Sequence, residues 1–126
     1  MSNPEQNPNF RGDERRKFRR ISKNFIMTYC IKGQPDQQFE ITQLKNISLG
    51  GMCFITTQAF ASSTILGIYL RTPYLTETTY LEGSVLESQA KIKGLIYETR
   101  IQFQTLSSDA EFLLKKINEV FLNGNL

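Results

Sequence analysis

Histidine is absent from this chain of 126 residues. Without imidazole there is no His metal ligand, and the side chain that most often acts as a general base is missing. Aspartate occurs only at positions 13, 36 and 109, and none of the three belongs to a tight carboxylate cluster. Neither a phosphate-binding P-loop nor a dinucleotide-binding glycine pattern is present. These absences predict a protein that is not an enzyme and that holds no metal or cofactor.

Cysteine is scarce as well, with Cys30 and Cys53 each placed in a short apolar run. Two isolated cysteines do not make a zinc site. Buried reduced thiols are the state we expect, as is usual in the cytosol, and a disulfide between the two is the alternative. No secretory leader and no apolar run long enough to span a membrane is visible. We therefore expect a soluble, cytoplasmic protein.

The positive charge of the chain is concentrated near its start. The formal net charge is +3, and residues 11–20 carry six Arg or Lys against two acids, which is +4 and leaves −1 for the rest. Guanidinium groups make paired, charge-assisted bonds to phosphate and also stack on bases. Arg16 and Arg20 are four residues apart, so they share one side in either a helix or an extended arm. The plain alternative is a solvated basic arm or a patch for nucleic acid or anionic membrane.

A second segment, Asn46-Ile47-Ser48-Leu49-Gly50-Gly51, has the composition of a turn between two strands. Two glycines permit positive φ, and Asn and Ser side chains bond nearby backbone, so a structural turn is one interpretation. The functional alternative is a ligand site. In that interpretation Asn46 bonds a base edge, Ser48 bonds a phosphate or base, and glycine lets the ligand approach the backbone.

Period-2 hydrophobic alternation predicts an all-β chain, and the pattern changes to a helical period near the end. Residues 1–13 are polar and predict a disordered leader. The capping box that begins with Ser108 as N-cap predicts a C-terminal helix through residue 122, with an apolar stripe that docks on the core. Six strands and this helix predict a closed antiparallel barrel with the helix over one opening. The strands are predicted at residues 24–32, 38–48, 52–56, 66–70, 80–88 and 95–104, with a polar turn at 89–94.

Together, Arg-Arg-x-x-x-Arg at residues 15–20 and Asn-x-Ser-x-x-Gly at residues 46–51 resemble the signature pair of PilZ domains, small bacterial β-barrel receptors for cyclic di-GMP. The resemblance extends over about residues 14–121 and includes the segments 81–85 and 97–106. It implies an all-β fold with a C-terminal helix, built as a six-stranded antiparallel split barrel. It also implies a single domain over residues 14–123, after the leader at 1–13.

Carried over by position, the resemblance implies a site for cyclic di-GMP and no catalytic residue. Two substitutions depart from the family pattern: Asn46 stands where Asp is frequent, and Arg100 stands where Gly is frequent. A cation at Arg15 implies two stacked ligand molecules per chain. The implied ligand-binding residues are Arg15, Arg16, Arg20, Asn46, Ser48, Gly50 and Gly51.

The function that the resemblance implies is a cyclic di-GMP receptor whose N-terminal arm changes conformation on ligand binding and signals to a protein effector. Outputs of the motility, pilus, biofilm or virulence type would fit such an adaptor. One alternative is a PilZ-like scaffold that does not bind the nucleotide and acts by protein contacts alone. Another is a barrel for single-stranded nucleic acid, which the inward alternation of the aromatics and the compact basic cluster disfavour. We therefore expect neither a nucleic-acid polymer nor a membrane as partner.

Overall fold

The structure is a computed structural model that describes residues 18–22 and 24–123. The expected leader at 1–13, together with Arg15 and Arg16, lies outside these ranges. The described chain is all-β with one C-terminal helix, as predicted. Its elements are β1 (Arg19–Arg20), β2 (Ile26–Ile31), β3 (Phe39–Ile41), β4 (Gln43–Ile47), β5 (Gly51–Thr56), β6 (Ile65–Arg71), β7 (Thr79–Ile92), β8 (Ile96–Phe103) and α1 (Ser108–Leu122).

All eight strands of the described chain form one antiparallel sheet in the order β1-β4-β5-β8-β7-β6-β2-β3. Within the described ranges no ladder joins β1 to β3, so the sheet is open and the prediction of a closed six-stranded barrel was wrong in closure and in strand count. The two edge strands contain only two and three residues. Edges that short limit the unpaired backbone that a sheet presents to other chains.

The predicted strand at 38–48 is two strands that meet at Thr42. β3 pairs with β2, with Ile41 opposite Met27, whereas β4 pairs with β5 and β1. Ile41 and Leu44 are both buried, 1% and 0% exposed, although they are three residues apart. Because side chains of a regular strand alternate between faces, an odd spacing cannot place both in the core. The chain therefore breaks at Thr42 and changes partner strands there.

The β7–β8 hairpin is longer than predicted. β7 continues to Ile92, through most of the predicted polar turn at 89–94, and the turn itself is residues 93–95. Gly94 lies in this turn with φ of 81°. The end of the hairpin extends past the core, with Ile92 50% and Leu95 62% exposed. A strand segment with no buried face lacks hydrophobic alternation, which is why the sequence pattern predicted a turn there.

Helix α1 packs its apolar stripe against the sheet, as predicted. Ala110, Leu113, Leu114, Ile117 and Phe121 are buried and belong to the main core. The N-cap is Ser107 and not Ser108: the Ser107 hydroxyl accepts a 3.1 Å bond from the Ala110 amide. The helix therefore begins one residue earlier than predicted. Among the described residues no helix has the length and apolarity needed to cross a membrane.

Candidate functional site

The turn between β4 and β5 is held by three hydrogen bonds. The Ser48 amide donates to the Gly51 carbonyl at 2.9 Å, and the Gly50 amide donates to the Ser48 hydroxyl at 3.1 Å. The Phe103 amide donates to the Gly50 carbonyl at 2.8 Å, which ties the turn to the end of β8. The Ser48 oxygen acts as an acceptor here, and its hydroxyl proton remains available to donate to a ligand.

The two glycines of this turn have different physical reasons to lack a side chain. Neither adopts positive φ, although glycine permits it; among the described glycines only Gly33 and Gly94 do. A Cβ on Gly51 would overlap the Ile101 carbonyl oxygen, so pairing of β5 with β8 requires glycine there. A Cβ on Gly50 would meet only the Ser48 hydroxyl, at 3.8 Å.

Strand pairing brings Arg20 and Asn46 to one face of the sheet. Arg19 lies opposite Leu44, which is fully buried, and Arg20 lies opposite Gln43. Because neighbouring residues of a strand face opposite sides, Arg20 points away from the core. A register shift follows Leu44, and Asn46 beyond it is exposed. Arg20 and Asn46 therefore lie on the outer side of the β4 edge, about three residues or roughly 10 Å apart along the strand.

The Arg20 guanidinium is available to a ligand. It is exposed, and within residues 18–22 and 24–123 no carboxylate pairs with it. The residues around it are fixed: Phe18 is 9% exposed, and the Ile21 amide donates a 2.9 Å bond to the Thr42 carbonyl. The base of the N-terminal arm is thus docked on β4, while Arg15 and Arg16 lie outside the described residues.

A buried carboxylate lies on the same outer side of the sheet. Glu98 on β8 is 4% exposed, and its two oxygens lie 3.0 Å from Lys45 Nζ and 3.0 Å from Lys91 Nζ. The Cys53 thiol donates to Glu98 at 3.4 Å. Burial, the bond to Glu98 and its charge raise the pKa of the Cys53 thiol to about 11. Cys30 and Cys53 are buried free thiols, as expected, and the disulfide alternative does not hold.

Sequence reasoning did not find this cluster. The signals were present: Lys45 immediately precedes the motif residue Asn46, and Glu98 stands two residues before Arg100 on the polar side of β8. A glutamate on the polar side of a strand is ordinarily solvated, so its burial could not be inferred from alternation. Across the described chain no group of three His, Cys, Asp or Glu side chains is placed to hold a metal ion.

A comparison with known protein families identifies the family of this chain. The family model described as PilZ domain matches residues 14–119. The chain belongs to the PilZ family. This match confirms the sequence-based identification and includes both motif segments.

The solved structures of MotI/DgrA and MrkH show the same fold at low sequence identity. The Bacillus subtilis inhibitor of motility MotI/DgrA aligns with a TM-score of 0.55 and 18% identity, over 89% of the present PilZ chain and 54% of its own. MrkH of K. pneumonia aligns with a TM-score of 0.54 and 18% sequence identity, and the alignment covers 82% of the present chain and 47% of MrkH. PlzA of Borreliella burgdorferi, solved in complex with c-di-GMP, aligns with a TM-score of 0.46 and 12% sequence identity. That alignment covers 98% of the present chain and 58% of PlzA. The chain spans about half the length of MotI and MrkH. No curated protein gives a significant sequence match.

Proposed function

We propose that this PilZ domain is a non-enzymatic receptor that binds cyclic di-GMP on the outer side of the β4–β5 turn. The observation that carries the proposal is the placement of Arg20 and Asn46 on one exposed face, with the Arg20 guanidinium unpaired among the described residues. Membership of the PilZ family supports the same ligand. PlzA, named above as a c-di-GMP complex, has that ligand in common with the proposal.

Each proposed role follows from the chemistry of the side chain. Arg20 offers paired donors that suit a phosphate or the O6 and N7 atoms of guanine. Asn46 offers an amide for a guanine edge, and the Ser48 hydroxyl has a proton to donate. Gly50 has no side chain, so the surface above the turn is open to a ligand. Protein packing does not require glycine there, because an added Cβ would meet only the Ser48 hydroxyl. Gly51 contributes indirectly, by allowing the close pairing that shapes the turn.

Arg15 and Arg16 complete the proposed site from the residues that precede β1. Arg16 would join Arg20 on guanine and phosphate, and Arg15 would add a cation that can stack on a base. That extra cation would offset the charge of a second ligand, so we propose two stacked cyclic di-GMP molecules per chain. Calorimetric titration to saturation measures this directly: a stoichiometry near two supports the stacked pair, and a value near one contradicts it.

Isothermal titration calorimetry with cyclic di-GMP tests the binding itself. Arg20→Ala and Asn46→Ala should each weaken binding roughly tenfold to a hundredfold, the equivalent of about 1.5–3 kcal/mol for bonds to charged groups. Arg71→Ala is the matched control, because Arg71 is also an exposed strand arginine but lies at the end of β6. GTP and a short oligonucleotide should give no comparable heat. Absence of heat with cyclic di-GMP, or wild-type affinity in Arg20→Ala, would exclude this function.

Signalling to a protein effector is the second part of the proposal. Like charges at Arg15, Arg16 and Lys17 repel one another, and an anionic ligand that bridges the arm and the turn removes this repulsion. The surface formed by arm, ligand and sheet edge is the candidate docking surface for the effector. If cyclic di-GMP does not bind, the scaffold function based on protein contacts alone becomes the better interpretation.

A further inference from the structure

Three cations lie near the candidate site on the outer side of the sheet, and carboxylates hold them to different degrees. Lys45 and Lys91 both contact Glu98, at 3.0 Å, and the Glu98 side chain is only 5% exposed. Arg100 contacts Glu87 at 3.6 Å, and these two side chains are 52% and 54% exposed. Both lysines are thus tied to a buried anion, whereas Arg100 has an exposed and longer ion pair.

This difference decides which cation can change partners. Removing a lysine from Glu98 would leave a buried carboxylate with less compensation, which is strongly unfavourable. An exposed ion pair contributes little, because water screens both charges and solvates them when they separate. Arg100 can therefore exchange Glu87 for a phosphate at little cost, and arginine binds phosphate through paired, charge-assisted bonds.

Strand register places Arg100 within reach of a ligand that contacts Asn46. Asn46 lies opposite Cys53 on β5, and Cys53 lies opposite Arg100 on β8. The three residues form one row across the sheet, so two strand spacings, about 10 Å, separate the backbones of Asn46 and Arg100. A cyclic dinucleotide has two guanines and two phosphates with which to bridge such a row.

We propose that Arg100 is a ligand-binding residue of this domain: when cyclic di-GMP binds, the Arg100 guanidinium leaves Glu87 and bonds a phosphate of the ligand. This proposal rests on the proposed function and extends its site from β4 across β5 to β8. The exposed Glu87 acts as a competitor that holds Arg100 when no ligand is present.

The test is calorimetry with cyclic di-GMP on single and double variants. Arg100→Ala should bind about tenfold more weakly, and its affinity should fall less steeply between roughly 50 and 300 mM salt because one charge contact is lost. Glu87→Gln should bind severalfold more tightly. In the Arg100→Ala background Glu87→Gln should have a smaller effect, since the competition is gone. Arg71→Ala, far along the sheet on β6, should match the wild type.

The outcomes separate this proposal from the proposed function. If the wild type binds and Arg20→Ala weakens binding, but Arg100→Ala has wild-type affinity and salt dependence, then Arg100 is not a ligand and the receptor function stands. If Glu87→Gln changes the affinity for cyclic di-GMP equally in the wild type and in the Arg100→Ala background, then the proposed move of Arg100 from Glu87 to a phosphate is overturned. If the wild type itself does not bind cyclic di-GMP, both proposals are overturned.

Discussion

Arg19 joins the start of the described chain to its end through Phe121. Its Nη1 donates a 2.7 Å hydrogen bond to the Phe121 carbonyl, and the guanidinium carbon lies 5.1 Å from the centre of the Phe121 ring. Phe121 belongs to the last turn of α1, which contains no basic residue of its own. Arg19 therefore supplies the cation that favours a helix C-terminus. The two neighbouring arginines therefore differ in role. Arg19 stabilises the fold through its contacts with Phe121, and Arg20 lies on the side of the candidate site.

Substitution of the two arginines should separate stability from binding. Arg19→Ala removes the bond to the Phe121 carbonyl, the ring contact and the favourable charge at the helix end, so the free energy of unfolding should fall by about 1–2 kcal/mol. Arg20→Ala removes an exposed side chain without a described partner, so the free energy of unfolding should change by less than about 0.5 kcal/mol. Urea denaturation measures both. A larger loss for Arg20→Ala than for Arg19→Ala would contradict this assignment.

Replacement of Gly50 and Gly51 by alanine should likewise separate an effect on stability from an effect on ligand binding. Gly51→Ala places a Cβ against the Ile101 carbonyl and forces β5 from β8, which should cost at least about 1–3 kcal/mol of stability. Gly50→Ala meets only the Ser48 hydroxyl at 3.8 Å and should leave stability within about 0.5 kcal/mol. It should nevertheless weaken cyclic di-GMP binding if the ligand lies over the turn. Thermal denaturation and calorimetry give the two quantities, and equal stability losses would refute the packing argument.

The sequence predicted the fold class and family because these depend on local patterns. Alternation predicted six strands that cover seven of the eight in the described chain, with β3 and β4 merged into one, and the helical stripe predicted α1. It could not reveal the break at Thr42, where two buried residues three apart require a change of partner strand. Nor could it predict β1, because a strand of two exposed arginines has no apolar face and is defined only by its pairing with β4.

The candidate site was predictable to a similar extent. The spacing of the motifs led to a prediction of the site residues, which stays a prediction. The packing reason for Gly51 could not be predicted, since it depends on how closely β5 approaches a carbonyl of β8. The burial of Glu98 also depends on long-range packing, because its lysine partners come from β4 and β7. Contacts between residues distant in the chain follow from register, and single-sequence patterns do not specify register across four strands.

The Cys53 thiol predicts a pH dependence of stability. Burial, together with Glu98, raises its pKa from 9.0 to about 11 in the folded protein, so the fold favours the neutral thiol. The stabilisation is complete below the unfolded pKa, and it is lost as pH rises from 9 to about 11, because only the unfolded chain then releases the proton readily. Urea denaturation across this window should show a steeper loss for the wild type than for Cys53→Ala. Parallel curves would contradict the prediction.

Amide hydrogen exchange can locate the segment that responds to ligand. The Ile21 amide bonds the Thr42 carbonyl at 2.9 Å and β1 pairs with β4, so residues 18–22 should be protected without cyclic di-GMP. Residues 12–17 lie outside the described residues, and like-charge repulsion among Arg15, Arg16 and Lys17 predicts that their amides are unprotected without ligand.

Addition of cyclic di-GMP should increase protection at residues 12–17, because an anionic ligand removes this repulsion, and should leave residues 18–22 nearly unchanged, because β1 already pairs with β4. Helix α1 serves as the internal reference, and Arg20→Ala with the same ligand concentration serves as the control that should show no change. Unprotected amides at residues 18–22 in the absence of ligand would mean that β1 itself takes part in the switch. Equal protection of residues 12–17 in both states would place the signal elsewhere, and the β8 row that includes Arg100 would then be the next segment to measure.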